Sequence, residues 1–309
     1  MSTCLVTGGA GFIGSHLVEA LMARGERVRV LDNLSSGKLA NLGPALDRLE
    51  FLGGDIQDEA MVQQAMAGVE TVFHLAAMVS VPQSMARPRQ AEMINTVGTV
   101  TLLQAARAAG VRRLVFSSTC AIYGDEPTLP KTETMAPCPK SPYAISKLTA
   151  EQYCRLFSEA FGLETAVLRY FNVYGPRQDP SSPYSGVISI FVDKMSQGQP
   201  VTIFGDGDQT RDFVFVSDVV QANLLAAAGP AAAGRLFNIG TGRAVTVNQL
   251  FASLSRILGY PGQPVYQAPR PGDVRHSYAD AGYARTVLNW QPQVDFETGL
   301  ARLAASLLS

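Results

Sequence analysis

The chain has 309 residues, of which 47% are hydrophobic and 17% charged; this composition predicts one large domain or two closely associated ones and excludes a disordered chain. Its 25 basic residues nearly balance its 26 acidic ones, so the net charge of −1 gives no indication of a nucleic-acid or anionic-membrane partner. No apolar run reaches the roughly eighteen residues of a membrane span and no secretory signal is recognisable, so we expect a cytoplasmic protein. The four cysteines form no C-x-x-C pair and the three histidines are scattered, so we expect free thiols and no zinc site.

Apolar strand-like runs and helical patterns alternate along the first two thirds of the chain. Such alternation predicts an α/β fold, a doubly wound parallel sheet of the Rossmann type with helices on both faces. In chain order the predicted elements are strand Cys4–Thr7, helix Phe12–Arg24, strand Arg27–Leu31, strand Leu49–Leu52, helix Asp58–Ala67, strand Thr71–Leu75, helix Ala91–Ala109, strand Arg113–Ser117, helix Pro142–Phe161 and strand Glu164–Tyr170.

The last third of the chain has more prolines and shorter elements, which indicates a smaller and more irregular substrate-binding lobe. Phe213–Val216 and Leu236–Ile239 are predicted as strands and Val247–Leu258 as a helix. We therefore expect a dinucleotide-binding domain over residues 1–171, to which 205–240 returns, and a substrate lobe made of 172–204 and 241–309.

A glycine turn connects the first predicted strand to the first helix. Gly8 permits the tight turn, Gly11 lets the backbone approach a pyrophosphate, and Gly14 allows close packing of helix on strand. Asp32 ends the second strand eighteen residues after Gly14. A carboxylate there accepts hydrogen bonds from ribose hydroxyls and repels a 2′-phosphate, so the pattern predicts NAD rather than NADP.

Further cofactor contacts are expected along the same edge of the sheet. Asp55 and Ile56 end the third strand, where the adenine would lie, and small side chains follow the fourth strand and let its backbone approach the cofactor. The residues expected to complete this surface are Phe12, Ile13, Asn33, Ser35, Ser36, Gly37, Leu75, Ala76 and Ala77.

Tyr143 and Lys147 are spaced to share one face of a helix, and Thr119 follows the fifth predicted strand. A Tyr–Lys pair alone is more often a surface pair, but a doubly wound sheet brings all three to the crevice of the glycine turn. Because an ordinary tyrosine pKa of about 10 is too high for a base at neutral pH, we expect the Lys147 ammonium, together with the nicotinamide ring, to lower it. The phenolate would then take a proton from a substrate hydroxyl as hydride leaves the carbon, with Thr119 holding the reacting oxygen.

Together these residues resemble the extended branch of the short-chain dehydrogenase/reductase superfamily, and more closely its nucleotide-sugar 4-epimerases of the UDP-galactose 4-epimerase type. The similarity covers Thr7–Gly14, Asp32-Asn33, Asp55-Ile56, His74–Ala77, Ser117–Gly124, Ser141–Lys147, Arg169–Gly175, Gly205–Asp218, Asn238–Gly242 and Arg270–Asp280.

The resemblance implies tightly held NAD and reversible oxidation of the sugar 4-hydroxyl, with hydride returned to the other face of the 4-keto sugar. It implies that Tyr143 is the base, that Lys147 contacts the ribose and adjusts the tyrosine pKa, and that Thr119 is the third catalytic residue. Asn95, and Tyr170 or Phe171, would lie near the cofactor. Asn172 would approach the substrate, Val187 and Thr202 would offer backbone groups, and Phe204 would stack on uracil. Arg211 and Arg270 would bind the diphosphate, and Asp273 would accept from the uridine ribose. The remaining expected substrate contacts are Ser84, Ser118 and Ser277.

Two departures from related patterns refine the expected reaction. Sugar-nucleotide 4,6-dehydratases carry an acidic pair after the strand-end threonine, whereas this chain has Cys120 and Ala121, which favours epimerisation. Ser277 stands where epimerases restricted to unmodified hexoses carry a tyrosine. The smaller side chain removes a clash with an N-acetyl group and predicts that UDP-N-acetylhexosamines are accepted.

Val79 replaces a lysine of the glucose/galactose enzymes, so the role of that lysine does not carry over.

Other functions remain open at the level of sequence. The substrate could be UDP-glucuronate, UDP-xylose or a sugar on another nucleotide, since Phe204 would stack on any base. A catalytically silent NAD-binding sensor is the alternative from another class, although such proteins lose the tyrosine or the lysine. The resemblance also implies a homodimer formed through helices Ala91–Ala109 and Pro142–Phe161.

Overall fold

The protein was analysed as a computed structural model, which describes residues 2–179, 186–269 and 274–308. Its strands are β1 (Thr3–Thr7), β2 (Arg27–Asp32), β3 (Glu50–Gly53), β4 (Thr71–His74), β5 (Arg113–Thr119), β6 (Glu164–Tyr170), β7 (Asn172–Tyr174), β8 (Thr202–Phe204), β9 (Thr210–Arg211), β10 (Phe213–Phe215), β11 (Arg235–Ile239), β12 (Val245–Thr246) and β13 (Val265–Gln267). Its α-helices are α1 (Phe12–Ala23), α2 (Glu59–Met66), α3 (Val81–Ala86), α4 (Pro88–Glu92), α5 (Gly98–Ala108), α6 (Pro142–Phe161), α7 (Val187–Ser196), α8 (Val216–Ala228), α9 (Val247–Leu258), α10 (Gly282–Leu288) and α11 (Phe296–Leu308).

Seven parallel strands form the central sheet in the order β11-β6-β5-β4-β1-β2-β3. The order reverses on either side of β1 and β4, as in a doubly wound sheet, and this confirms the predicted fold class. Alternate residues of one strand pack on opposite faces: Val115 belongs to one buried apolar cluster, whereas Leu114 and Phe116 belong to another. Burial on both faces explains why the strands appear in the sequence as continuous apolar runs.

Helix α6 has the predicted bounds because its end signals are local. The Ser141 hydroxyl accepts a hydrogen bond from the Ala144 amide at 3.2 Å, Pro142 occupies the first turn, and Gly162 ends the helix with a φ of 72°. The serine pairs a free amide of the first turn, the proline has no amide hydrogen to pair, and the glycine adopts the left-handed conformation that ends a helix. These are the ends that place Tyr143 in the first turn of the helix.

The predicted single helix Ala91–Ala109 is interrupted, and this is a correction. A π-helical turn, Met93–Val97, joins α4 to α5, and the helical stretch begins earlier, at Pro88. Within the turn the Asn95 carbonyl accepts a hydrogen bond from the Thr99 hydroxyl at 2.6 Å. Side-chain hydroxyls that bond to a carbonyl one turn back bend helices, and apolar periodicity does not report this.

A third apolar cluster lies in the C-terminal part and includes Phe191, Phe213, Leu250 and Leu300. Two-stranded pairings β7–β10, β9–β12 and β8–β13 surround it. The predicted strand at Phe213 ends at Phe215 and pairs with β7 rather than with the central sheet, whereas β11 does join the central sheet beside β6. The exact division into two lobes stays a prediction. No helix in the described ranges combines the length and the apolar character needed to cross a membrane.

Candidate active site

The glycine turn between β1 and α1 has the shape that a bound diphosphate requires. Gly8 has a φ of +69°, and a Cβ there would lie 2.8 Å from the Ala76 amide nitrogen. A Cβ on Gly14 would lie 2.1 Å from the Gly8 carbonyl oxygen, so glycine is needed at both positions. Helix α1 begins after Gly11 without a capping side chain, which leaves its first-turn N–H groups and its positive end available to an anion.

Asp32 lies beside this turn as a buried carboxylate with 7% of its surface exposed. It accepts hydrogen bonds from the Ala10 amide at 2.9 Å and the Leu34 amide at 2.8 Å. Burial raises the pKa of Asp32, and these two amides partly offset that rise. The described residues provide no cation for Asp32, so it suits neutral hydroxyl donors and opposes a second phosphate. A Cβ on Gly37 would lie 3.0 Å from the carboxylate, which shows how closely that loop approaches it.

The neighbouring strand ends join the same surface. Asn33 donates to the Asp55 carboxylate at 2.7 Å, and Ile56 is buried against Gly98 at the start of α5. The Ser35 amide donates to the Asn33 side chain at 3.0 Å, while the side chains of Ser35 and Ser36 are exposed. The structure therefore brings together the residues expected around the adenosine.

The fourth strand end also approaches the turn. The amides of Leu75 and Ala76 donate to Thr7, to its carbonyl at 3.1 Å and its hydroxyl at 3.3 Å. His74, to which the sequence assigned no role, lies between the hydroxyls of Thr7 and Thr99 at 2.8 and 2.9 Å. Burial lowers the pKa of His74 well below its usual value, so the neutral ring ties β4 to β1 and α5.

Tyr143 and Lys147 project from the first turns of α6. The Tyr143 amide donates to the Ser84 hydroxyl at 3.1 Å, and Ser84 is fully buried. The side chain of Thr119, at the end of β5, lies near enough to the Tyr143 phenol to lower its pKa. Lys147 is 2% exposed, with its Nζ 4.2 Å from the centre of the Phe116 ring. The three expected catalytic residues are thus brought to one place.

Burial dominates the electrostatics of this group. It raises the pKa of Tyr143 to about 12, and Thr119 offsets only part of the rise. Burial also lowers the pKa of Lys147 to about 7. The sequence predicted that Lys147 and the nicotinamide ring would jointly lower the tyrosine pKa, and that joint effect stays a prediction; it did not anticipate the desolvation of both groups, which spacing along a helix does not report. Lys147 by itself does not produce a phenolate at neutral pH.

Two residues expected near the cofactor have their side chains committed within the protein. Asn95 accepts from the Met78 amide at 2.8 Å and donates to Ser146 at 3.0 Å. The Tyr170 hydroxyl donates to Asn223 at 2.9 Å. Contact of Asn95 or Tyr170 with a cofactor stays a prediction, and it would have to use other atoms.

The sugar side of the crevice begins at Cys120, directly after Thr119. The Arg211 charge and the Ser277 side chain both lie near enough to the Cys120 thiol to lower its pKa. Ser277 is held by its amide, which donates to the Thr210 carbonyl at 3.2 Å. Asn172 has a buried side-chain oxygen without a hydrogen-bond partner among the described residues, as a substrate contact requires.

The other expected substrate residues lie in the C-terminal part. Val187 begins α7, and Thr202 and Phe204 bound strand β8, which pairs with β13. Arg270 and Asp273 lie outside the described residues. Sequence reasoning missed Asp212, whose buried carboxylate accepts hydrogen bonds from Thr241 and Ala279. It also missed Glu151, although the four-residue spacing from Lys147 was visible.

Comparison with known proteins gives a consistent result. The model of the NAD-dependent epimerase/dehydratase family matches residues 4–240. The chain is 44% identical over 302 residues to a UDP-glucose 4-epimerase of Mycolicibacterium smegmatis, covering 96% of each chain. Two solved structures superpose with a TM-score of 0.95 and cover 99% of this chain and 98% of their own. One is UDP-glucose 4-epimerase of Thermotoga maritima with UDP-glucose, at 46% identity, and the other is UDP-N-acetylglucosamine 4-epimerase of Methanobrevibacter ruminantium with UDP-N-acetylmuramic acid, at 38%.

Proposed function

Since the chain belongs to the NAD-dependent epimerase/dehydratase family, we propose that it is a UDP-sugar 4-epimerase acting on both plain and N-acetylated hexoses. Family membership confirms the predicted NAD cofactor. The observation that carries the proposal is the approach of Thr119, at the end of β5, to the buried Tyr143 phenol, two strands from the glycine turn that follows β1 and three from Asp32 at the end of β2. That arrangement brings a proton acceptor to the crevice in which the nicotinamide end of a dinucleotide would lie.

In the proposed reaction Tyr143 removes the proton of the sugar 4-hydroxyl and later returns it. NAD, when bound, supplies hydride chemistry at the sugar C4. Thr119 hydrogen-bonds to the reacting oxygen and keeps it beside the phenol. Lys147 contributes its positive charge when protonated, and the positive end of α1 with Asp32 orients the dinucleotide.

The residues after Thr119 favour epimerisation over dehydration. Removing water from a sugar needs an acid and a base near the leaving hydroxyl. Burial raises the pKa of the Cys120 thiol to about 11, so it is a neutral group at pH 7. Ala121 has no ionisable group, and neither residue can replace a carboxylic acid.

The principal experiment is an assay of the purified chain on a panel of nucleotide sugars. We expect bound NAD in the purified protein and conversion of UDP-glucose to UDP-galactose and of UDP-GlcNAc to UDP-GalNAc, measured by chromatography. Turnover of UDP-glucuronate, UDP-xylose or sugars on other nucleotides alone would favour the alternative epimerases. Bound NAD with no epimerisation of any sugar would favour the sensor.

Ser277 supports the broader substrate range because its small side chain lies against Cys120, next to the catalytic Thr119. We expect Ser277→Tyr to reduce kcat/KM for UDP-GlcNAc by at least about 10-fold more than for UDP-glucose, since overfilling a packed site costs 1–3 kcal/mol. Ser277→Ala, which removes the hydroxyl but adds no bulk, is the matched control. An equal loss on both substrates after Ser277→Tyr would contradict this specificity.

An exposed apolar strip supports the homodimer expected from the sequence. Met93 and Val97 are 39% and 43% exposed beside α6, where Ile145 and Leu156, three helical turns apart on one face, are each 46% exposed. Apolar side chains grouped on two adjacent helical stretches suit a second copy that presents the same face. Sedimentation analysis should give a dimer, and Leu156→Glu should shift it towards the monomer. A wild-type monomer at micromolar concentration would contradict the dimer.

A further inference from the structure

A buried ionic cluster lies directly behind the catalytic residues. Glu151 is four residues after Lys147 on α6, so the face of Tyr143 and Lys147 continues to a carboxylate that is 3% exposed. Its Oε1 accepts from the Ser118 hydroxyl at 2.5 Å and from Arg169 Nε at 2.9 Å, and its Oε2 accepts from Arg169 Nη2 at 2.6 Å. A charged group this deeply buried is stable only when it is paired and hydrogen-bonded in this way.

The partners of Glu151 are the strand ends that carry the site. Ser118 on β5 and Arg169 on β6 are register partners, and Thr119 is the next residue along β5. The carboxylate of Glu151 therefore connects the helix that bears Tyr143 to the strand end that bears Thr119. A shift of Glu151 would change the distance between these two groups.

The cluster extends beyond the carboxylate. The Arg169 guanidinium carbon lies 4.8 Å from the centre of the Tyr123 ring, and the Tyr123 hydroxyl donates to Asn238 on β11 at 2.7 Å. The arginine is thus fixed on two sides. Its charge cannot move away if the partner carboxylate is lost.

The charges around Lys147 make Glu151 important. His74 on β4 and Cys154 on α6 face Lys147, and burial favours the neutral form of each. Glu151 acts on both buried cations, Lys147 and Arg169. The carboxylate of Glu133, which accepts from the Asn238 amide at 2.7 Å, also acts on Arg169, and burial raises its pKa.

We propose that Glu151 is a positioning residue of this site, which holds the Ser118–Thr119 strand end against α6 and balances Arg169 so that Lys147 retains its proton beside Tyr143. The inference rests on the proposed epimerase function. It adds a residue that acts through others, without contact to substrate or cofactor.

The test begins with Glu151→Gln, which keeps the shape and removes the charge. We expect kcat for epimerisation to fall by about 10–100-fold, as for other groups that orient a site residue, while KM stays within about twofold. The alkaline limb of the pH dependence of kcat should move at least about one unit lower, because the uncompensated Arg169 charge disfavours the Lys147 ammonium. Glu159→Gln, an exposed position on the same helix, is the control and should leave kcat and the limb unchanged.

A second variant separates charge from folding. Glu151→Gln combined with Arg169→Met removes both buried charges, which is often tolerated where removing one is not. We expect the alkaline limb to return towards the wild-type position, while kcat stays reduced because the Ser118 anchor is still altered. If the single variant does not fold, the double variant decides: wild-type kcat in it would overturn the proposal.

A third measurement needs no sugar substrate. The chain has five lysines, so protein labelled with 13C at lysine Cε gives few signals, and Lys147→Met identifies the signal of Lys147. We expect Glu151→Gln to lower the pKa of Lys147 by at least about one unit and Glu159→Gln to leave it unchanged. A wild-type protein without epimerase activity would refute the proposed function but leave this titration informative. An active wild type with the Lys147 pKa and the alkaline limb unmoved in Glu151→Gln would refute the role of Glu151.

Discussion

Asp32 and Asp212 are both buried carboxylates that accept backbone N–H groups, but they organise their regions over different sequence distances. Asp32 binds amides 2 and 22 residues away, at Leu34 and Ala10. Asp212 binds Thr241, 29 residues away, and Ala279, 67 residues away. The cofactor region is thus built from consecutive strand ends, whereas the sugar region is assembled from segments that are distant in the chain.

The difference separates two kinds of recognition. A dinucleotide is held by backbone shape, in which Gly8 and Gly14 leave no room for a side chain and α1 presents free N–H groups. In the site that we propose, the sugar meets side chains such as Cys120 and Ser277, which neighbour one another only after the chain has folded. Cofactor choice is therefore fixed by the fold, and substrate choice can change through single side chains.

The largest expected effect is at Tyr143, where the two regions meet. Tyr143→Phe should reduce kcat by about 10²–10⁴-fold, the usual contribution of a positioned acid or base. NAD content and Tm should stay near wild type, because the ring remains and only the hydroxyl is lost. Tyr153→Phe, at an exposed tyrosine of the same helix, is the control. Undiminished epimerisation by Tyr143→Phe would remove the basis of the proposed reaction.

The two aspartates form a matched pair for the next test. Asp32→Asn should raise the Kd for NAD by about 10–100-fold, since hydrogen bonds to a charged group contribute roughly 1.5–3 kcal/mol. Asp212→Asn should raise KM for the UDP-sugar by about tenfold with the NAD content unchanged, because the segments next to Ser277 lose their anchor. Calorimetry for NAD and steady-state kinetics measure the two effects. Weakened NAD binding in Asp212→Asn would mean that the regions are not separable.

Sequence reasoning succeeded where the relevant signals are local. The bounds of α6 follow from Ser141, Pro142 and Gly162, and the parallel sheet follows from apolar runs that are buried on both faces. It failed at Asp212 because contacts 29–67 residues apart leave no periodic pattern. It also did not anticipate the desolvation of Tyr143, because desolvation depends on everything that packs around the ring.

The smallest expected effect is on stability and comes from Lys147, a buried cation on the helix that carries Tyr143. Burial lowers its pKa to about 7, whereas in the unfolded chain it stays near the usual value of about 10.4. Above pH 7 the unfolded chain therefore binds more protons than the folded one, so the free energy of unfolding rises with pH. Between pH 7 and about 8.5 Lys147 should contribute a gain of roughly 1–2 kcal/mol to the free energy of unfolding of the NAD-free protein in urea. Ionisation of the buried thiols in the unfolded chain opposes this gain equally in wild type and Lys147→Met, so the contribution of Lys147 is the difference between the two proteins. Lys147→Met should lose that gain, and an equal slope in both proteins would show that Lys147 is not desolvated in the folded chain.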